Sequence, residues 1–153
     1  MKYLKRLSPS AWFLITFVVA MFLSGVSPIK ISLFMESEKA RLTGVVIFLI
    51  SLTLNLLAMK EFKKYLTPHA PFEIPAKLIK TGVFSLSRNP VYVALVLSMF
   101  GLGFVFDTVW PLAGGFVLLV LLHYLIVVEE ENILKETFKG EYIDYMRQTR
   151  RWL

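Results

Sequence analysis

Arg88, Asn89, Pro90 and Tyr92 stand together in the stretch FSLSRNPVY, at the threshold of the apolar run VYVALVLSMFGLGFVF. Further along, three consecutive glutamates, Glu129, Glu130 and Glu131, close another apolar run, with His123 and Tyr124 shortly before them. Successive helical residues are ~100° apart, so three glutamates in a row cannot share one face. At least one turns toward protein, where a carboxylate without a cation nearby is costly. Arg88 is one candidate cation and a cationic ligand is another, and at this level a structural ion pair and a binding site both fit. Should the chemistry remove a proton, His123 and Glu131 are the candidate bases. His123 also reads as a packed polar residue of an apolar helix. His69 and His123 are the only histidines and there is no cysteine. Thiolate catalysis and disulfides are therefore excluded, and no metal site is expected.

The elements that must position these residues are apolar helices. The 153 residues are 56% hydrophobic and 18% charged, against ~45–50% and ~25% in soluble domains. The excess is gathered into four runs, near residues 11–28, 42–60, 90–106 and 109–128. A span needs ~17–25 residues, so the apolar cores of the first and third runs, 11–26 and 91–106, are short unless flanking residues join them. Little polar sequence remains to cover four such runs in water. The reading is a single-domain, all-α polytopic membrane bundle of about four transmembrane helices, with a polar loop at 61–89 and a C-terminal helical segment at 129–150. In that segment Leu134, Phe138 and Tyr142 recur at i, i+4 and i+8, an amphipathic pattern interrupted or ended near Gly140.

Asn89 and Pro90 suit a helix start, asparagine as the cap and proline in the first turn. Arg88 then reads as a snorkelling anchor. Asn55 lies within the second run, placed for a hydrogen bond across helices. Gly101, Gly103, Gly114 and Gly115 lie inside apolar runs with no Lys–Ser/Thr after them, which indicates close helix packing and no nucleotide loop. Trp12 and Trp110 fall at opposite predicted faces of the membrane, as interfacial aromatics do, and Trp152 in RRWL is a similar anchor for the tail.

Charge sets the orientation. Lys2, Lys5, Arg6, Lys60, Lys63, Lys64, Lys77, Lys80, Arg88, Lys135, Lys139, Arg147, Arg150 and Arg151 fall on one side of the bundle, 14 basic residues in all. The other side has 3, namely Lys30, Lys39 and Arg41. By the positive-inside rule both termini are cytoplasmic. The net charge of +6 is thus dispersed between apolar runs and forms no stripe for nucleic acid. The FLSGVSP stretch is a poor signal-peptide cleavage site, so the first run is expected to stay.

The pair TGVFSLSRNPVYVAL and EEENILKETFKGEYIDY resembles the isoprenylcysteine carboxyl methyltransferase family and its relatives, the phospholipid N-methyltransferases. These are integral-membrane enzymes that use S-adenosylmethionine. Gly82, Phe84, Arg88, Asn89, Pro90, Tyr92, Glu130, Glu131, Leu134, Phe138 and Tyr142 follow the family's order, and the likeness runs over residues 62 to 153. The resemblance implies a cytoplasm-facing pocket for S-adenosyl-L-methionine. Arg88, Asn89, Pro90 and Tyr92 would line it, Phe84 would stand where tyrosine is frequent, and Glu130 would be a cofactor ligand. Lys77, Leu78 and Ile79 would pass alongside, with His69 in the proline-rich loop. The implied acceptor is a small lipophilic or lipid-like molecule, and membrane lipids are the other expected partners. Two departures stand out: glycine follows Phe138 one place late, and LIVV replaces the arginine that the isoprenylcysteine enzymes carry before the glutamates. An NADPH-dependent membrane reductase of the steroid-reductase type and a non-catalytic membrane scaffold are the alternative readings. The oligomeric state is not specified by the sequence.

Overall fold

The structure, a computed structural model, describes residues 7–66, 72 and 75–153. Among these every regular element is helical. Helix α1 (Pro9–Val26) begins where Ser8 accepts the Ala11 amide on its hydroxyl and Pro9 takes the first position. Helix α2 (Ser37–Lys64) has 28 residues, about 42 Å at 1.5 Å per residue. That exceeds a ~30 Å hydrocarbon core, so an end carrying Lys60, Lys63 and Lys64 extends past it. Helix α3 (Pro90–Val105) has only 16 residues. Helix α4 (Trp110–Leu122) passes through a π-helical turn (His123–Val127) into α5 (Val128–Phe138), one continuous apolar rod. Helix α6 (Gly140–Gln148) follows after a single hinge residue.

Among the described residues three helices are long and apolar enough to cross a membrane: α1, α2 and the α4–α5 rod. The fourth expected span, α3, is an apolar helix one residue short of ~17, and it is enclosed by protein. Its Tyr92, Val93, Ala94, Val96 and Met99 are all buried. Helix α2 packs along one side of α3, α4 along another, and α1 lies against α4. The α2–α3 contact is close because glycines meet there. A Cβ on Gly101 would come within 2.9 Å of the Phe48 backbone nitrogen and 3.0 Å of the Gly44 carbonyl. Next to this crossing, the Ser51 and Ser98 hydroxyls pair at 2.8 Å.

At the far end of the bundle, the α3–α4 turn is tied to the loop after α1. Asp107 accepts the Ser32 amide and hydroxyl, each at 2.7 Å, and Ser24 pairs with Thr108 at 2.8 Å. Trp110 donates its indole N–H to the Ser27 carbonyl at 2.6 Å. Trp12 is not interfacial: only 8% exposed, it belongs to the core shared by α1, α3 and α4. Trp152 likewise packs on that core, 6.2 Å between ring centres from His123.

The C-terminal segment is two helices. Lys139, with φ of 46°, breaks the chain between Phe138 and Gly140, so the Leu134–Phe138–Tyr142 stripe does not continue along one axis. The fold-back buries Tyr142 and Tyr145 against the start of α3, and the Tyr145 hydroxyl donates to the Phe84 carbonyl at 2.5 Å. Burial pushes both phenols above their ordinary range, so they remain protonated donors.

Candidate active site

A cavity of about 520 Å³ opens at the end of the bundle where α3 begins. Its walls come from segments far apart in the chain. Helix α2 contributes Asn55, Met59 and Phe62; residues Lys77, Leu78 and Ile79 run past as extended chain; and α1 begins at its edge with Ser8 to Ser10. Phe84, Arg88, Asn89, Pro90, Tyr92 and Leu95 form the α3 side, and Glu130, Glu131, Leu134, Tyr142 and Tyr145 the opposite side. Gly82 shapes the approach to Phe84: its φ is +60°, and a Cβ there would lie 2.8 Å from the Glu61 carboxylate. Only glycine accepts that backbone without cost.

The two lining glutamates are neighbours in sequence and opposite in circumstance. Glu131 is 3% exposed and taken up by two guanidinium groups. Arg88 donates to one of its oxygens at 2.8 Å, while Arg151 spans both at 3.0 and 2.7 Å. Glu130 has no ion-pair partner among the described residues. Its carboxylate accepts the Tyr92 hydroxyl at 2.8 and 2.9 Å and the Phe72 backbone N–H, all neutral donors. Among the described residues no cation meets this carboxylate, which lines the cavity.

Arg88 and Asn89 hold the chain terminus. The Arg88 amide donates to the Arg150 carbonyl at 2.9 Å, and its guanidinium reaches the Thr149 and Met146 carbonyls at 2.8 and 3.3 Å. Asn89 donates from its side-chain amide to the Arg151 carbonyl at 2.9 Å, joined there by the Ser87 hydroxyl at 3.2 Å. Two expectations are corrected here. Asn89 does not cap α3 with its side chain; a carbonyl of the tail takes the amide instead. Arg88 does not snorkel, since it is 9% exposed on its side chain and paired inside the protein.

Of the residues singled out in the sequence, Lys77, Leu78, Ile79, Phe84, Arg88, Asn89, Pro90, Tyr92, Glu130 and Glu131 all meet on this one cavity. His69 lies outside the described residues. The two candidate bases are not placed for that work. His123 is not part of the cavity wall, and its ring packs on Tyr124 and Trp152. Glu131 reaches the cavity, but both its oxygens are occupied by Arg88 and Arg151. Sequence reasoning missed Arg151, Phe72, Tyr145 and the start of α1. It also gave Asn55 a cross-helix role, where the structure puts it on the cavity. Helical spacing carried a signal for that: Asn55, Met59 and Phe62 fall at i, i+4 and i+7, one stripe of α2. Arg151 had no such signal.

A family model described as phospholipid methyltransferase matches residues 40–141, from early in α2 to the beginning of α6. No curated protein and no solved structure matches.

Proposed function

The chain belongs to the phospholipid methyltransferase family, and from that premise we propose that it moves a methyl group from S-adenosylmethionine to a small lipophilic or lipid-like acceptor at the cytoplasmic face of a membrane. Membership makes it a membrane methyltransferase; the donor, the acceptor's lipophilic character and the sidedness are the proposal. The observation that carries the donor is Glu130, a carboxylate on a cavity wall whose partners among the described residues are all neutral. The cavity's volume also falls within the ~300–1,000 Å³ of small-molecule sites.

Bound there, S-adenosylmethionine would supply a methyl group on a cationic sulfur, suited to in-line displacement. The chain's own groups fit such a ligand. Glu130 offers its charge to the sulfonium or the ammonium, and Tyr92 fixes that carboxylate by sharing one hydroxyl between both oxygens. Phe72, Phe84 and Tyr92 supply aromatic faces for a flat base or a cationic centre. Arg88 and Asn89 keep the tail over the site, which excludes water. With His123 elsewhere, Glu131 engaged and Glu130 given to the donor's positive charge, no further carboxylate or imidazole among the described residues lines the wall as a base, so the arrangement suits an acceptor that arrives deprotonated or gives its proton to water. Helix α1 lies on α4 and α2 on α3, and the cavity reaches both α1 and α2. The side between them is the route for a lipid chain. Sidedness rests on the 14 basic residues against 3.

Calorimetry in detergent tests the reading. S-adenosylhomocysteine should bind the wild type, and Glu130→Gln should weaken binding about 10- to 100-fold, the loss of a charged hydrogen bond worth ~1.5–3 kcal/mol. Wild-type protein that binds NADPH and neither methionine-derived ligand would overturn it.

A further inference from the structure

The geometry points to Asn55 as the residue that binds the polar head of the acceptor. This rests on the methyltransferase reading and adds to it the place and chemistry of the second substrate. Asn55 is a polar side chain in the apolar middle of α2, where an amide is costly and is ordinarily paired or functional. It lines the cavity, and among the described residues no hydrogen bond engages its amide. Ser51, one turn away on the same inner face, is the contrast: its hydroxyl is satisfied by Ser98 at 2.8 Å and the Phe48 carbonyl at 2.8 Å. An unsatisfied amide beside a satisfied hydroxyl marks a place kept for something else.

The Ser51–Ser98 pair also fixes the depth. Helices α2 and α3 run antiparallel, so one turn from Ser51 brings Asn55 level with Leu95, a turn deeper than Tyr92. The cavity is thereby graded. Its mouth carries Lys77 and Glu130, Met59 and Val91 follow on the apolar wall, and Asn55 with Leu95 lines the deep end. Among the described residues Arg88 and Arg151 are both committed to Glu131, and Glu130, held at Tyr92, is given to the donor, so a charged head would find no free counter-ion beside Asn55. A primary amide both donates and accepts without charge. The ligand it fits is a lipophile whose head presents an uncharged hydrogen-bonding group there, its chain among the apolar side chains.

The test uses full-length protein in mixed micelles with lipid extracted from the expression host, counting tritium passed from labelled S-adenosylmethionine into the organic phase. Asn55→Leu should raise the lipid concentration for half-maximal labelling at least tenfold. It should leave S-adenosylhomocysteine affinity within twofold of wild type and the thermal midpoint unchanged or higher. Asn55→Gln, which keeps the amide, should recover part of the loss. Unchanged half-saturation in Asn55→Leu overturns the proposal. So does a loss that tracks cofactor affinity or a lowered thermal midpoint, since a packing role would produce either. Wild-type protein that binds S-adenosylhomocysteine yet labels no lipid overturns it while leaving the donor site standing. Wild type that binds no S-adenosylhomocysteine removes the parent function and this inference together.

Discussion

Glu130 and Glu131 are adjacent, and their replacement should separate two properties of the protein. Glu131→Gln removes the charge that pairs Arg88 and Arg151, whose contacts are 2.7 to 3.0 Å. Arg88 is 9% exposed and would be left as a buried cation; breaking such a pair costs ~3–5 kcal/mol. Two carbonyls, of Thr149 and Met146, still accept from it, which places the cost at the low end. The Arg151 contact is 36% exposed on the arginine side and adds only ~0–1 kcal/mol. About 3 kcal/mol corresponds to roughly a hundredfold in an opening equilibrium. The loss is local, because the pair joins the tail to the start of α3. Hydrogen exchange read by mass spectrometry should therefore accelerate about a hundredfold in residues 140–150 and at the Arg88 amide, and little within α2. Glu130→Gln should leave that exchange as in wild type while losing ligand binding. Exchange in Glu131→Gln within threefold of wild type across 140–150 would refute the claim that this carboxylate latches the tail.

Gly101→Val should lower the thermal midpoint in detergent, by a destabilisation of ~1–3 kcal/mol, because the added carbon meets the backbone of α2 at Phe48 and Gly44; an unchanged midpoint would contradict the tight α2–α3 crossing. At the far end, the Ser32 hydroxyl and amide hold the Asp107 carboxyl below the usual carboxylate range. A depressed folded value stabilises above the unfolded ~3.9 and is lost as pH falls through the lower folded value. Exchange at the Ser32 amide should thus rise only in strong acid, and Asp107→Ala should show the raised rate at neutral pH. A reporter fused after Leu153 should report a cytoplasmic position; a fusion found on the opposite side would sink the orientation.

The fold and much of the candidate site were legible for one reason: apolar runs and short motifs are local in sequence. The runs set out the helices, and the stretches around Arg88 and Glu130 carried most of the cavity wall. What failed was decided by contacts between distant segments. Asn89 has every local feature of a cap, yet its side chain is turned to donate to a carbonyl 62 residues away, and its oxygen accepts no helix amide. Arg88 resembles an anchor until Glu131 and the tail enclose it. Arg151, in RRWL, has no pattern around it, so its bidentate hold on Glu131 could not be read. Lys139 takes the hinge conformation beside Gly140, which a propensity argument would have chosen.

The π-helical turn at His123–Val127 sets the phase of everything after it. Such a turn holds one residue more than the α turn it replaces, so the surplus is absorbed before Val128 and the helix resumes in step. Were those five residues to wind as ordinary α-helix, α5 would advance by ~100°, and Glu130 would swing off the cavity. The converse concerns deletions. Losing one residue inside 123–127 should let the segment close as α-helix with both glutamates still facing as they do. The same loss two turns earlier, within α4, would put the ion-paired carboxylate and the free one out of step with the cavity, though neither had been altered.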